Sequence, residues 1–393
     1  MSKKNNKRIL KSALILTRSP NKLDNGLSNK NDSLAKTLNN FSNLDIYIID
    51  NSTLPFEKYS CNYFHYRMGF RDFFFSIKEL ILFRLPLQNL FYIHKNLQKD
   101  LLARNYDLIV FSLPRAISIN TIKKLKKKNT RVILDLADKM SASYKSISKF
   151  EKNILKKIAY LVESSRLDFF EKKYLYLFDQ VFMFNSNEVN SLSSYGNILQ
   201  VRHGANFRSK TNFQIKSLKK NINFMFLGKL NYPPNEQGLK FLIKEVWPLI
   251  DKKNVLNIIG SDLNNSIIRE ISGIENVIYH GFIDNLENFS QKVVCNLAPI
   301  FSGGGIQNKL IDSLSLKIPT ITTKKALSAF DSETRKIFYL AETKKDWIEI
   351  INNFEKYYYK FSVKNLDEIL KKFDWNLYQQ DVRENIEHLF KEY

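Results

Sequence analysis

Cysteine is almost missing. The 393-residue chain has two, Cys61 and Cys295, far apart in sequence; they make no metal or redox pattern, and a reducing cytoplasm is the expected compartment. Long apolar runs are missing as well. Each one is interrupted before the ~18 residues that a spanning helix requires, so no transmembrane segment is expected. The N-terminus, with Lys3, Lys4, Lys7 and Arg8 ahead of Ala13 to Leu16, imitates a signal peptide, but its apolar run is about half the length of an h-region and ends at Arg18. No stretch has the composition of a low-complexity tail. Acidic residues are in short supply: 39 Asp and Glu stand against 61 Lys and Arg, a formal net charge of +22. Such a surface favours nucleotides, anionic lipids or nucleic acid. Lysine is abundant along the whole chain, however, and the cluster Lys123-Lys124-Leu125-Lys126-Lys127-Lys128 reads as a solvated helix end rather than a recognition stripe. No nucleic-acid partner is expected.

What is present is an ordinary globular composition, 44% hydrophobic and 25% charged, in a chain long enough for two domains of about 150 to 200 residues each. The first half alternates β-rich runs with helical patterns, the signature of a parallel sheet wrapped by helices. Strands are expected at Ser12 to Thr17, Leu44 to Asp50, Asp107 to Leu113, Arg131 to Leu136, Gln180 to Asn185 and Ile198 to Arg202. A loop holding Asn25-Gly26 follows the first strand, ahead of a helix over Asn31 to Leu38, and is a weak candidate anion site. The fourth strand runs into Asp135-Leu-Ala-Asp138, at the carboxyl end where open α/β sheets place ligands; Asp138 reads equally well as the cap of the next helix. The stretch from Tyr63 through Phe70-Arg-Asp-Phe-Phe-Phe75 to Tyr92 interleaves aromatics with arginines. Two readings compete: helices whose aromatics are core, which is favoured, and a basic aromatic face lying on an anionic membrane. A long amphipathic pattern runs from Phe150 to Phe178, and a helix capped by Ser186 follows.

From 205 to 220 the pattern turns polar and loses its period, which marks a linker. The alternation then begins afresh with Asn223 to Leu227, Gly228-Lys229, a helix over Glu236 to Ile250, Val255 to Ile259, Gly260, Val277 to Tyr279 and Gly281-Phe-Ile-Asp284. Its most informative stretch is Pro299 to Pro319. A buried strand over Val293 to Leu297 leads into the glycine-rich turn Ser302 to Gly305 and a helix whose apolar residues Ile306, Leu310 and Leu314 recur every four positions. Glycines leave backbone N–H groups uncovered and a helix N-terminus aims its positive end at the same spot, which is how a chain binds phosphate without a metal. Lys309 and Asp312 share one helix face, an ammonium for the anion and a carboxylate for sugar hydroxyls; the ordinary alternative is an exposed ion pair beside a loose turn. Lys229 and Lys309 would both arrive at the edge where the loops converge, which suits a nucleotide-sugar diphosphate.

Phe226-Leu-Gly-Lys-Leu-Asn-Tyr-Pro-Pro-Asn235 with Gly238 and Trp247-Pro248, then Ile258-Ile-Gly260, Gly281-Phe-Ile-Asp284 and Gly305-Ile-Gln-Asn-Lys-Leu-Ile-Asp312, resemble the donor half of glycosyltransferase family 4, most closely the sugar transferases of bacterial exopolysaccharide clusters. In the first half Gly26, Asp135 to Ser141, Arg166 to Glu171 and Phe178-Asp179 are similar to that branch, as is Phe373-Asp-Trp375 near the end. The resemblance implies an α/β GT-B fold, two Rossmann-like parallel-sheet domains facing across a cleft: an acceptor-side domain over 1–204, the linker 205–220, a nucleotide-sugar domain over 221–372, and a helix over 373–393 packing back on the first domain. It implies a retaining, metal-independent glycosyltransferase of hexosyltransferase type, with no cofactor beyond the nucleotide-sugar substrate. Lys229 and Lys309 would hold the diphosphate beside the N–H groups of Gly304, Gly305 and Ile306. Gly26, Gly228 and Gly260 would line the donor, Phe282 and Ile283 would hold the base through backbone groups, Asp312 would meet the ribose, and Asp138 would serve the acceptor side. Two positions depart from the family: Asp312 stands where it has Glu, and Gly304 stands where its paired first Glu lies.

The function expected is transfer of a sugar to a glycan or lipid-linked acceptor of a surface polysaccharide, in the cytoplasm or at the inner face of the plasma membrane. A nucleotide-sugar epimerase of the same fold would need acid and base residues around the sugar carbon, and no convincing pair is visible. The rival of another class is a non-catalytic basic protein that binds membrane or nucleic acid.

Overall fold

The computed structural model describes residues 9–19, 26–50, 58–205, 222–358, 360–361 and 366–391. They form two compact units. The first takes the described residues up to Lys145, then Ile158–Gly204 and the chain from Trp375; the second takes Ser146–Lys157 and the described part of Ala205–Asp374. All of the expected linker except Ala205 lies outside the described residues, as does Asn25 of the first expected loop.

In the first unit a seven-stranded sheet is built from β1 (Leu10–Leu16), β2 (Ser42–Ile49), β3 (Asn62–Tyr66), β4 (Leu108–Ser112), β5 (Arg131–Ala137), β6 (Gln180–Met183) and β7 (Ile198–Gln200), in the order β3-β2-β1-β4-β5-β6-β7. Every pairing is parallel. The second unit repeats the plan with β8 (Ile222–Leu227), β9 (Asn254–Ile259), β10 (Val277–Gly281), β11 (Cys295–Ala298), β12 (Thr320–Thr322) and β13 (Tyr339–Leu340), in the order β10-β9-β8-β11-β12-β13, again all parallel. Strands buried on both faces need apolar residues at successive positions. The runs Ala13-Leu-Ile-Leu16 and Leu108-Ile-Val-Phe111 are buried throughout, as are Phe224-Met-Phe226 and Leu256 with Ile258 and Ile259. In each sheet the order reverses beside the first strand, between β1 and β4 and between β8 and β11, so each unit has a switch point at the carboxyl ends of its strands, where such sheets hold ligands.

Several expectations need correction. The aromatic stretch contains an unforeseen edge strand, β3, paired with β2, before the helix Phe70–Phe83 begins. Its aromatics divide: Phe64, Tyr66, Phe75, Phe83 and Tyr92 pack on the first core, whereas Phe70, Phe73, Phe74 and Phe91 are exposed. The helix after β1 starts at Gly26, so this glycine is its first residue and not part of a preceding loop. The cap of the helix Ser186–Leu192 is Asn185, whose side chain accepts from the Asn187 N–H at 3.0 Å. The helix expected over Glu236 to Ile250 is α-helical only over Pro233–Phe241; it widens to a π-turn at Leu242–Val246 and tightens at Trp247–Leu249, where Pro248 removes a donor. The lysine run at 123–128 does end a helix, Ile119–Lys127, with Lys126 bonded to Asp179 at 2.7 Å.

Candidate functional site

In the second unit, the loops after β8, β9, β10 and β11 sit side by side along the carboxyl edge of the sheet, and the first three are laced by their backbones. The Gly228 N–H donates to Ile259 O at 3.1 Å, Leu230 N–H to Ser261 O at 3.0 Å and Gly260 N–H to Gly281 O at 2.8 Å. Gly260 is required for this lacing: a Cβ there would lie 1.8 Å from the Gly228 carbonyl oxygen, and its φ of +146° is one that side chains rarely adopt. The loop after β11 crosses the switch point. Gly303 and Gly305 take φ of 91° and 69°, left-handed turns open to glycine, and the Gln307 amide donates to Gly304 O at 3.0 Å. The α-helix itself runs over Asn308–Ser315 with Gln307 at its cap, so Ile306 precedes it and is not its first apolar residue. No side chain caps this helix and its first turn has no acid, which leaves its positive end facing the glycine loop.

Lys309 sits in that first turn. Its ammonium donates to Asn235 Oδ1 and lies 5.6 Å from the centre of the Phe226 ring. Asn235 is itself held, its amide donating to Lys229 O at 2.8 Å. The cation is therefore pinned beside Gly228, where a Cβ would stand 3.5 Å from Lys309 Nζ. Burial pushes Lys309 down to about 7, because little water remains to solvate its charge. An ammonium so placed gains most from an anion. Lys229, by contrast, is half exposed and pairs with Asp262 at 3.5 Å. The glycine loop packs on the β8 side as well: a Cβ added at Gly303 would lie 3.1 Å from the Pro234 ring. Asp312 is half-buried on the same helix. After β10, three strands from β11, Phe282 is exposed and Ile283 is half-buried against the cluster of Met225, Ile259 and Leu286. Gly228, Gly260, Lys229, Lys309 and the loop Gly304–Ile306 are thus gathered at one switch point, with Phe282 and Ile283 farther along the same edge.

The first unit has a polar cluster of its own at the end of β5. Asp135 is fully buried; its Oδ1 pairs with Lys30 at 3.1 Å and its Oδ2 accepts from the Tyr378 hydroxyl at 2.7 Å. Lys30 comes from the helix Gly26–Asn39 and Tyr378 from the helix Trp375–Lys391, two elements that also meet through Gln379 and Ser33. Beyond Asp135 the strand breaks register and Ala137 takes φ of 65°, a turn that directs the chain into Asp138. Asp138 does not cap the next helix in the way considered above. The N–H groups there go instead to Glu188, from Lys139 at 2.8 Å, and to Glu171, from Ser141 at 3.0 Å. Asp138 Oδ1 is left buried without a hydrogen-bond partner. Burial, with Glu188 and Asp135 nearby, lifts Asp138 to about 7, against the opposing pull of Lys30.

Lys30 and Tyr378 carry no mark in the sequence, and Asn235 stands there only as the end of a motif, without a role. Asn235 carries a signal in hindsight, an amide closing Tyr-Pro-Pro-Asn at a helix start. Among the described residues, no group of three or more His, Cys, Asp or Glu is placed to hold a metal ion.

The fold is that of the GT-B glycosyltransferases. The chain is similar to an Anabaena protein, Alr3699/HepE, solved with UDP and glucose (12% identity, 96% of this chain and 100% of that one covered, TM-score 0.64). It is similar also to a glycosyltransferase from Rickettsia africae ESF-5 (12% identity, 98% and 100% covered, TM-score 0.64) and to WaaG, a glycosyltransferase involved in lipopolysaccharide biosynthesis (10% identity, 95% of each covered, TM-score 0.58). Residues 221–354 match the family model described as "Glycosyl transferases group 1". Comparison with curated protein sequences gives no significant match.

Proposed function

We propose that the chain is a retaining glycosyltransferase of family 4 that moves a sugar from a nucleoside-diphosphate sugar to a glycan or lipid-linked acceptor of a surface polysaccharide, with no metal ion required. The observation that carries this reading is Lys309, an ammonium pinned by Asn235 and Phe226 beside the glycine loop at a switch point. The family match over 221–354 and the UDP named for the Anabaena neighbour support it.

The base lies at Phe282 and Ile283, the ribose at Asp312, and the diphosphate at Lys309, the Gly304–Ile306 N–H groups and the more exposed Lys229. As the bond from the anomeric carbon to the diphosphate breaks, negative charge collects on the leaving group, and preorganised donors already aimed there lower the barrier. The acceptor oxygen bonds to the same face of that carbon and its proton passes to a phosphate oxygen. Asp138, in the first unit, is assigned to the acceptor side.

Lys309→Ala should lower turnover at saturating donor by on the order of a hundredfold or more. Lys229→Ala should cost less, because its ammonium is half exposed and already paired. Turnover should also survive exhaustive chelation. Wild-type rates in the Lys309 variant would remove the leaving-group role.

A further inference from the structure

The helix Phe70–Phe83 packs Phe75 and Phe83 on the core and still carries apolar residues on its outer side. Its buried face consists of Asp72, Ser76, Glu79 and Leu80, three of them polar, and each of those polar groups is answered. Asp72 accepts from the Lys95 N–H at 2.8 Å and meets His94 Nε2 at 3.2 Å. Ser76 donates to Ile93 O at 2.8 Å, and Glu79 accepts from Ser118 at 3.0 Å and Asn120 at 2.9 Å. These bonds fix which side of the helix faces inward. The outer side is correspondingly apolar: Phe70, Phe74 and Ile81 recur at intervals of four and seven along one stripe, with Phe73 and Leu82 on its borders. Phe70 is 79% exposed and Ile81 72%.

The charges are divided in the same way. Both acids of the segment, Asp72 and Glu79, are buried, so the exposed charges from Phe70 to Arg84 are Arg71, Lys78 and Arg84, all positive. Arg71 and Lys78, seven apart, line one border of the apolar stripe. A second helix meets the end of the first. The helix Ile154–Tyr174 grips the end of the first one, with Arg166 donating to Leu85 O at 2.9 Å and Tyr174 to Phe83 O at 3.1 Å. On its earlier turns Ile158, Leu161 and Val162 are exposed.

An apolar stripe with basic borders and its acids turned inward is the pattern of a helix lying in the interface of a bilayer whose headgroups are anionic. We propose that this surface docks the enzyme on an anionic lipid membrane, inserting Phe70, Phe74 and Ile81 among the acyl chains while Arg71 and Lys78 meet lipid phosphates. The net charge of +22 favours the same partner. The docking does not depend on the donor reading, although it would bring the enzyme to an acceptor carried on lipid.

The test is co-sedimentation of the full chain with vesicles of phosphatidylglycerol and phosphatidylethanolamine, and with vesicles of phosphatidylcholine alone. The proposal expects binding to the anionic vesicles, little to the neutral ones, and a loss of on the order of tenfold or more in F70S/F74S. R71E/K78E should lose most of the preference for anionic lipid. A cooperative thermal unfolding transition at the wild-type midpoint, measured without nucleotide on the same samples, reports that the variants are folded and keeps the two readings apart. Absence of vesicle binding, or undiminished binding by a folded F70S/F74S variant, overturns the docking and leaves the donor site untouched. A dimer in sedimentation that F70S/F74S dissolves, without vesicle binding, would overturn it in favour of a second copy as the occupant.

Discussion

Lys309 and Lys229 have the same side chain and differ in surroundings, and the proposed leaving-group role of Lys309 rests on that difference. An exposed pair such as Lys229 with Asp262 at 3.5 Å contributes about 0 to 1 kcal/mol. Lys309 has traded water for an amide oxygen and an aromatic face, and its ordinary lysine pKa falls to about 7. A bound diphosphate favours the charged form and raises that pKa again. Donor binding then takes up a proton wherever free Lys309 is neutral, so affinity is full below about pH 7 and weakens, by up to about tenfold per pH unit, as the pH rises above it. Calorimetry at pH 6.5 to 9 in buffers of different ionisation enthalpy should show both the loss of affinity and the proton uptake. A flat profile would mean that Lys309 is charged before the donor arrives. Asp138 makes the complementary case: a carboxyl lifted to about 7 is partly protonated near neutrality and can both donate to and accept from a sugar hydroxyl. The sequence placed it at a strand end but could not give this environment, because Glu188 and Lys30 reach it from distant parts of the chain.

Elements explain how these side chains are held. Most strands were legible because a doubly covered parallel strand is written as a continuous apolar run, and the glycines at 228, 260, 303 and 305 were legible because their left-handed turns favour glycine. The edge strand β3 was not, since half-exposed Asn62-Tyr-Phe-His-Tyr66 lacks that apolar run and its pairing with β2 is set by tertiary contact. Nor was the division of the aromatics in the Phe70–Phe83 helix: Phe75 and Phe83 reach the core as the usual rule expects, whereas the bonds to Asp72, Ser76 and Glu79 leave Phe70, Phe73 and Phe74 outside. Asp135 and Tyr378, 243 positions apart, carry no local sign of each other. At this scale the sharpest prediction concerns the laced loops. Gly260→Ala forces a Cβ to within 1.8 Å of Gly228 O and demands a strained φ; it should cost on the order of 2 to 4 kcal/mol of stability and weaken donor binding at the same time. Denaturant unfolding together with donor titration would show it, and an unchanged variant would mean that the loops are not locked together.

For the whole molecule, two Rossmann-like units repeat one strand order; the second gathers its polar groups at the reversal of that order, and the first gathers them at the end of β5. The second unit carries all the donor residues named above except Gly26, and the first carries Gly26, Asp138 and the helix Phe70–Phe83. The central claim is that the second unit binds a nucleoside-diphosphate sugar through Lys309, and the most direct measurement is the thermal stability of the full chain across a panel of nucleotide sugars, repeated with Lys309→Ala. A true donor present at a hundred times its dissociation constant stabilises the fold by about 2.7 kcal/mol, a rise in Tm of roughly 5 to 10 °C. The wild type should show such a rise with at least one nucleotide sugar, and Lys309→Ala should lose it. No rise with any member of the panel, or the same rise in both proteins, would contradict it.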